Sequence, residues 1–175
     1  MFYRLVLLIP LSFVVPAFAD DIAIIWPAGW EVENTPAAPG ADAAGVTRQR
    51  ATRNDANGDP VMVVELTRSP LQPGHEVNLS GVVLEMRKAV QINFSQGGYQ
   101  SLCTKIHDGS LGNLPAMETT CKVTLNGNHV MTQTLVAAAG QGAAYGFSYA
   151  GSAAGYAQYQ GEVADIRGRL QSMSQ

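Results

Sequence analysis

The sequence predicts an α+β fold, in which an antiparallel β-sheet carries helices packed on its faces. Turn-forming pairs such as Asn57-Gly58 separate several strand-compatible segments, which favours hairpins and therefore antiparallel pairing. Two other segments place apolar residues at helical spacing, and each follows a block of strands rather than a single strand. The sequence has no internal repeat and no linker long enough to separate two units, so we expect a single domain.

The first 19 residues are typical of a secretory signal peptide. Arg4 precedes the apolar run Leu5–Val15, and a small-x-small motif ends at Ala19. The apolar run is shorter than the roughly 20 residues that a membrane-spanning helix needs. We therefore expect cleavage after Ala19 and an exported mature domain, residues 20–175, that is periplasmic or secreted and has no integral membrane segment.

The charge of the mature chain argues against a nucleic-acid partner. The sequence has 11 Lys and Arg residues against 14 Asp and Glu residues, and cleavage removes one of the basic residues. A nucleic-acid-binding domain needs a basic surface, whereas the basic residues of this chain are dispersed. We expect a monomer that binds a protein partner and uses no cofactor.

The two cysteines, Cys103 and Cys121, are expected to form a disulfide. Exported proteins reach compartments in which disulfides persist. The midpoint between the cysteines is Gly112, inside the turn-forming stretch DGSLGN, so a hairpin centred there would set the cysteines opposite each other. The bond would stabilise the fold by about 3 kcal/mol. The alternatives are a reactive Cys–His pair and a metal site, and the metal site lacks a complete ligand set.

The mature chain is predicted to begin with a short strand, Ile22–Trp26, which Pro27-Ala28-Gly29 ends. Residues 35–45 are mostly small and are expected to form a loop. Residues 46–68 are expected to form a hairpin, because Asn57-Gly58 is a favoured pair for a tight type I′ turn.

A helix is predicted to begin near Leu79 and to end near Gly97 and Gly98, which suit the left-handed conformation that closes many helices. Strands are predicted over residues 99–107 and 116–125, and a turn at residues 126–128 leads into further strands. The helix prediction rests on apolar residues at helical spacing: Leu79, Val82, Val83, Met86, Ala89 and Val90.

The C-terminal segment has the most regular apolar period. Its apolar and aromatic residues are spaced to form one stripe of a helix: Tyr156, Tyr159, Val163, Ile166, Leu170 and Met173. A coiled coil would use the same spacing. The segment is short for a coiled coil, so we expect this helix to pack on the sheet.

The order of these elements resembles the PsbP-like fold, an antiparallel sheet with helices packed on its faces. The resemblance is carried by WPAGW (Trp26–Trp30), the following hairpin, a central helix, a Gly-x-x-Pro-Ala motif at Gly112–Ala116 and a C-terminal helix. The whole mature chain also resembles a domain-of-unknown-function family of small secreted proteins from pseudomonads and their relatives. The resemblance implies an adaptor or accessory role, by analogy of fold, and it brings no enzymatic activity with it.

Four segments come close to catalytic or ligand-binding motifs, and each lacks a required residue. Ser148 lies in GFSYA, near the nucleophile-elbow pattern, but no histidine follows it in the sequence. The segment HEVNL has Leu79 where a zinc-protease motif needs its second histidine. The segment from Asp55 lacks the glycine and glutamate of an EF-hand, and GQGAAY has Tyr145 where a dinucleotide-binding motif needs glycine. We therefore expect no catalytic residue and no metal site.

Aromatic residues are the candidates for a binding surface: Trp26, Trp30, Tyr99 and Tyr145. The alternative is that they pack in the core or between sheet and helix, as we expect of most aromatic residues in the chain. Large amphipathic side chains dominate interface energies. The favoured location is a cleft between the sheet and the loops near Trp26–Trp30 and residues 35–45. We expect an exported, non-enzymatic binding or accessory protein that acts through a protein partner or a small ligand. The alternatives are a secreted effector that acts on other cells, and a small hydrolase that uses His107, Asp108 or His129.

Overall fold

The computed structural model describes residues 24–36, 45–140 and 142–170, so the predicted signal peptide lies outside the described residues. Within these ranges the chain forms eight strands and two helices. Their order is β1 (Trp30–Pro36), β2 (Thr47–Asn54), β3 (Pro60–Pro70), α1 (Leu79–Ser95), β4 (Gln100–Cys103), β5 (His107–Leu111), β6 (Leu114–Leu125), β7 (Asn128–Gly140), β8 (Ala143–Ser152) and α2 (Ala153–Gly168).

All of these strands belong to one antiparallel sheet with the order β1-β2-β3-β8-β7-β6-β4, and β5 also pairs with β6. Most neighbours are consecutive in the chain, as hairpins require. Two pairings join strands that are not consecutive, β4 with β6 and β3 with β8. The pairing of β3 with β8 runs from Met62 opposite Gly151 to Pro70 opposite Ala143 and connects the two halves of the sheet. The structure confirms the predicted single-domain α+β fold with an antiparallel sheet.

Helix α2 covers one face of the sheet and closes the main core. Met62 and Val64 of β3 and Phe147 of β8 are fully buried on this face, where they pack with Val163 and Ile166 of α2. Burying each of these large apolar side chains contributes about 1.5–3 kcal/mol to stability.

The apolar stripe predicted for the C-terminal helix is confirmed as far as the structure describes it. Val163, Ile166 and Leu170 are buried, and Tyr156 and Tyr159 pack against the same core. Met173 lies outside the described residues.

Helix α1 packs on the opposite face and covers only part of it. It contacts β4, β6 and β7, where Val90 joins Cys121 and Leu135 in a smaller core. The Asn78 side chain caps the helix by accepting a hydrogen bond from the Gly81 amide. The predicted apolar stripe is confirmed at Val83 and Val90, which are buried, whereas Val82 and Ala89 are exposed. No helix in the described part of the chain is long and apolar enough to cross a membrane.

The first strand begins later than the sequence predicts. Of the predicted strand Ile22–Trp26, the described residues 24–26 have no regular structure, and β1 starts at Trp30. The turn before β1 explains the shift: Gly29 has a φ of 88°, and Arg53 donates a hydrogen bond of 2.7 Å to the Ala28 carbonyl. The chain can pair with β2 only after this turn. The predicted loop 35–45 overlaps the end of β1 at residues 35 and 36, and residues 37–44 lie outside the described residues.

The hairpin predicted over residues 46–68 is confirmed, but its turn is of another type. Gly58 has a positive φ and Asn57 does not, whereas a type I′ turn needs both residues in that region. The Asp55 carboxylate instead accepts hydrogen bonds from the amides of Asn57 and Asp59 and closes a longer loop. The type I′ pattern occurs at the hairpin between β6 and β7, where Asn126 has a φ of 50° and Gly127 a φ of 80°.

The predicted disulfide joins β4 to β6. Cys103 lies opposite Cys121 in the strand register, and their sulfur atoms are bonded. Of the predicted strand over residues 99–107, residues 100–103 form β4, residues 104–106 are not in a strand, and β5 begins at His107; both strands pair with β6. The hairpin turn falls at Gly112, with Leu111 opposite Leu114, close to the midpoint that the cysteine spacing predicts.

Candidate functional site

The two tryptophans of the predicted surface are packed into the edge of the main core. Trp30 is 8% exposed, and its indole donates a hydrogen bond of 3.1 Å to Glu162 of α2. Trp26 is half-buried, and its indole donates to the Gln49 side chain at 3.0 Å. The two ring centroids lie 5.7 Å apart. Because both indole N–H groups have partners within the chain, this pair ties β1 and β2 to α2.

The other two predicted residues lie elsewhere. Tyr145 is only 6% exposed and belongs to the core beneath α2. Tyr99 precedes β4 and packs edge-on against Phe94 at the end of α1, with ring centroids 5.9 Å apart. Strands β1 and β4 form opposite edges of the sheet, so Tyr99 and Trp30 are separated by about 30 Å. The structure does not bring the four aromatic residues together into one surface.

The three histidines are exposed and separated from one another. His107 lies opposite Glu118 on β6, with 3.9 Å between its Nε2 and a carboxylate oxygen, whereas His129 lies opposite Thr124. The partners of His107 and His129 are six positions apart on β6, a distance of about 20 Å along a strand. His75 lies in the exposed segment before α1. The described contacts place the Thr132 hydroxyl 2.8 Å from His129 Nε2 and the Glu118 carboxylate near His107, so they give no single histidine both a hydroxyl and a carboxylate partner.

The carboxylates and cysteines of the described residues do not form a metal-binding group with these histidines. Asp55 directs its side chain to the backbone amides of its own turn, as the hairpin interpretation of DANGDP expects. Ser148 lies within strand β8 rather than at a strand-to-helix turn.

A cleft opens on the α1 face of the sheet, where α1 leaves β3 and β8 uncovered. The cleft has a cavity volume of about 370 Å³, which is within the range of about 300–1,000 Å³ typical of small-molecule pockets. Its floor consists of small side chains on two neighbouring strands: Ala137 on β7, and Ala144, Gly146 and Ser148 on β8.

The strand register explains why this floor is continuous. Ala137 lies opposite Gly146, and Thr67 of β3 lies opposite Gly146 on the other side. Side chains alternate between the two faces of a strand, so residues 144, 146 and 148 all face α1. A Cβ atom added at Gly146 would have Met86 Cε, at 4.0 Å, as its nearest neighbour. The floor is therefore low because side-chain volume is missing there.

One wall of the cleft is apolar and belongs to α1 and the segment before it. Its residues are Val77, Leu79, Val82 and Met86. Val82 is 38% exposed, which is unusual for an apolar residue on the sheet side of a helix and follows from the missing volume of the floor. The wall offers a surface on which an apolar ligand group would be partly removed from water.

The opposite wall is polar and belongs to β2 and β3. Thr67 and Ser69 contribute hydroxyl groups, and Arg48 forms an ion pair with Glu65 at 3.4 Å between Nη2 and Oε2. The Arg48 side chain is 48% exposed and the Glu65 side chain 29% exposed, so both charges reach solvent at the cleft. The arrangement can hold an apolar group on one side and a polar or charged group on the other.

This cleft was not predicted, although the small residues that form its floor can be recognised in the sequence. Two strands carry small residues at every second position, at 137 and 139 on β7 and at 144 and 146 on β8. Small residues at alternate positions of one strand do not by themselves predict a binding site. When two neighbouring strands both carry them on the same face, they leave a depression in the sheet. Of the aromatic residues predicted for a binding surface, Tyr145 alone borders the cleft.

A protein-family model described as "Domain of unknown function (DUF4946)" matches residues 21–172. No curated relative matches the chain. The solution structure of cyanobacterial PsbP (CyanoP) from Synechocystis sp. PCC 6803 is similar, with a TM-score of 0.56 and 13% sequence identity over 81% of this chain and 80% of that chain. At this identity the likeness bears on the fold alone, and it confirms the PsbP-like architecture that the order of elements predicts.

Proposed function

The chain belongs to the family described as Domain of unknown function (DUF4946), and from this premise we propose that the protein is an exported, non-enzymatic binding module. Its binding site is the cleft between α1 and strands β3 and β8. The observation that carries the proposal is the shape of that cleft, an open depression with an apolar wall, a polar wall and a floor of small residues.

The cleft supports binding more directly than the aromatic surface does. The indoles of Trp26 and Trp30 are hydrogen-bonded within the chain, so a partner would gain little from them. In the cleft, Val82 on α1 and the Arg48–Glu65 ion pair on β2 and β3 are exposed on opposite walls. Apolar lining with a few convergent polar groups is the usual composition of a ligand site.

The separation of the histidines favours a binding role over hydrolysis. General acid–base catalysis needs a titratable group within hydrogen-bond reach of a nucleophile. Ser148 borders the cleft, but the histidines of the described chain lie at the ends of other strands or in the turn before α1. Among the described residues, this separation supports a binding role rather than the hydrolase alternative.

Photo-crosslinking in living cells tests the proposed site. A photoreactive amino acid replaces Val82, on the wall of the cleft, or Ile92, an exposed apolar residue of the same helix that does not border the cleft. We expect an adduct of defined mass, small molecule or protein, at position 82 and not at position 92. The same adducts at both positions, or none at position 82, would contradict the proposal.

Export is part of the proposal, and the disulfide between Cys103 and Cys121 supports it because disulfides persist in oxidising compartments. Intact-mass measurement of the protein from periplasm and from culture medium tests it. We expect a chain that begins at Asp20 and contains the disulfide. Recovery from the medium would favour the effector alternative over a periplasmic accessory protein, and a chain that retains residues 1–19 would contradict cleavage.

A further inference from the structure

The polar wall of the cleft presents opposite charges next to each other. Arg48 uses one of its five N–H donors on Glu65, across a long contact of 3.4 Å. The Glu65 carboxylate accepts this one hydrogen bond and keeps further acceptor positions. The Arg48 guanidinium and the Glu65 carboxylate can therefore each form further hydrogen bonds toward the cleft. Neither group has a second hydrogen-bond partner among the described residues.

The surrounding charges are balanced, so the cleft has little preference for an ion of one sign. Arg50 lies opposite Glu65 on one side and opposite Glu33 on the other, and all three alternate onto the same face as Arg48. A monoanion placed at Arg48 would also meet the carboxylate of Glu65. A monocation placed at Glu65 would meet the guanidinium of Arg48. A group that carries both charges on neighbouring atoms satisfies both.

The rest of the cleft selects an apolar substituent beside that charged group. Val82 and Met86 form the wall across from the ion pair, and Gly146 leaves the floor between them open. The hydroxyls of Thr67 and Ser148 lie on the neighbouring strands and offer further hydrogen bonds to the polar end of a ligand.

We infer that the ligand is an apolar α-amino acid, bound with its carboxylate at Arg48, its ammonium at Glu65 and its side chain across Gly146 against Val82 and Met86. This inference rests on the proposed function, because it assigns a ligand class to the same cleft. An α-amino acid carries its ammonium and carboxylate on one carbon, which matches a donor and an acceptor that are 3.4 Å apart.

Three probes of one shape test the charge requirement on the purified mature chain. Leucine carries both charges, isocaproate lacks the ammonium, and isoamylamine lacks the carboxylate. We expect calorimetric titration to detect leucine binding and each analogue to bind at least about tenfold more weakly, since one unpaired charge then remains in the cleft. Serine, which lacks the apolar side chain, should also bind more weakly than leucine.

Variants connect the binding to the cleft. Gly146→Val should abolish leucine binding by filling the floor, whereas Gly161→Ala, on an exposed position of α2, should leave it unchanged. Glu65→Gln should reduce the affinity for leucine and the preference for leucine over isocaproate. The urea midpoint of each variant is measured in parallel, so that loss of folding is recognised.

The outcomes separate this inference from the proposed function. If isocaproate binds as tightly as leucine and Gly146→Val abolishes both, the cleft is a binding site and the amino-acid inference is wrong. If none of the probes binds, or if Gly146→Val leaves leucine binding intact, the inference is also wrong. In those cases the crosslink at position 82 still decides whether the cleft receives another ligand.

Discussion

At the scale of single residues, hydrogen-bond partners separate structural aromatic residues from binding ones. The sequence predicts that Trp26 and Trp30 flank a turn, and they do, but both indoles donate inward, to Gln49 and Glu162. A tryptophan that serves a partner usually keeps its N–H or its ring face available. The side-chain partners of these two residues depend on β2 and α2, which are distant in sequence, so sequence patterns could not reveal them.

Trp30→Ala is predicted to destabilise the fold strongly. Removing a buried indole leaves a cavity at the junction of β1, β2 and α2 and costs about 3–5 kcal/mol. Trp30→Phe should lose less, because it keeps a buried ring and gives up only the hydrogen bond to Glu162. Urea unfolding followed by far-UV circular dichroism measures both losses. An unchanged midpoint for Trp30→Ala would contradict this structural role and leave Trp30 available to a partner.

Tyr156 is predicted to make stability depend on alkaline pH. Burial raises the pKa of the Tyr156 phenol above the usual 10.0, although the hydrogen bond between the Tyr156 and Thr134 hydroxyls opposes this effect. The folded chain therefore holds this proton more tightly than the unfolded chain does. The resulting stabilisation is complete below pH 10, the unfolded value, and is lost as the pH rises through the raised folded value.

Urea denaturation at several pH values between about pH 9 and about pH 12 measures the loss of stability. This range extends from roughly one unit below to two units above the ordinary pKa of a phenol. We expect the unfolding free energy of the wild type to fall above pH 10, and the fall to be smaller in Tyr156→Phe. Spectrophotometric titration, with the chain unfolded in denaturant as control, should place the phenol deprotonation that Tyr156→Phe removes at a higher pH in the folded chain than in the unfolded chain. Identical profiles for the wild type and Tyr156→Phe would contradict the prediction.

At the scale of elements, local turn chemistry made most of the fold predictable. The hairpins at Asn57-Gly58 and at residues 126–128 were predictable because Asn and Gly tolerate positive φ, but the type I′ turn predicted at the first forms only at the second. The first strand was not predictable, because the position of β1 depends on Arg53, which holds the preceding turn from another strand. The early end of the predicted strand 99–107 at Cys103, and the start of a second strand at His107, have no local signal, because both strands are defined by their pairing with β6.

The disulfide is predicted to stabilise the fold by restraining β4, the short edge strand. Cys103→Ala combined with Cys121→Ala should lower the unfolding free energy by about 3 kcal/mol, from the entropy of an 18-residue separation in the unfolded chain. Urea unfolding of the double variant measures this loss, and the wild type under reducing conditions provides an independent comparison. A loss of less than about 1 kcal/mol would place most of the stabilisation of β4 in its contacts with α1.

At the scale of the whole molecule, the cleft exists because α1 covers fewer strands of the sheet than α2 does. Helix α2 packs across β3, β8, β7 and β5, whereas α1 reaches only β4, β6 and β7. The sequence predicts both helices and most strands, but it does not contain the strand order. The pairing of β3 with β8 joins segments about 80 residues apart, and only this pairing places Thr67 beside Gly146. The polar wall and the floor therefore come together through long-range topology.

A cleft floor made of small residues should lower the free energy of unfolding. Alanine substitutions at two glycines of strand β8 test this prediction. Glycine inside a strand is less favourable than alanine by about 0.5–1 kcal/mol. At Gly146 a Cβ atom fits, with its nearest neighbour at 4.0 Å, so Gly146→Ala should raise the unfolding free energy by about that amount. At Gly151 the same atom would lie 2.7 Å from the Val61 carbonyl oxygen, so Gly151→Ala should lower it.

Urea unfolding of the two variants separates an open floor from a packed one. Opposite signs would mean that the chain keeps glycine at position 146 although alanine is more stable there, which is expected where an open cleft serves binding rather than folding. Destabilisation by Gly146→Ala as well would indicate that the floor is already in contact with α1 in solution. The cleft would then be too shallow for the ligand proposed for it, and the crosslink at Val82 should fail for the same reason.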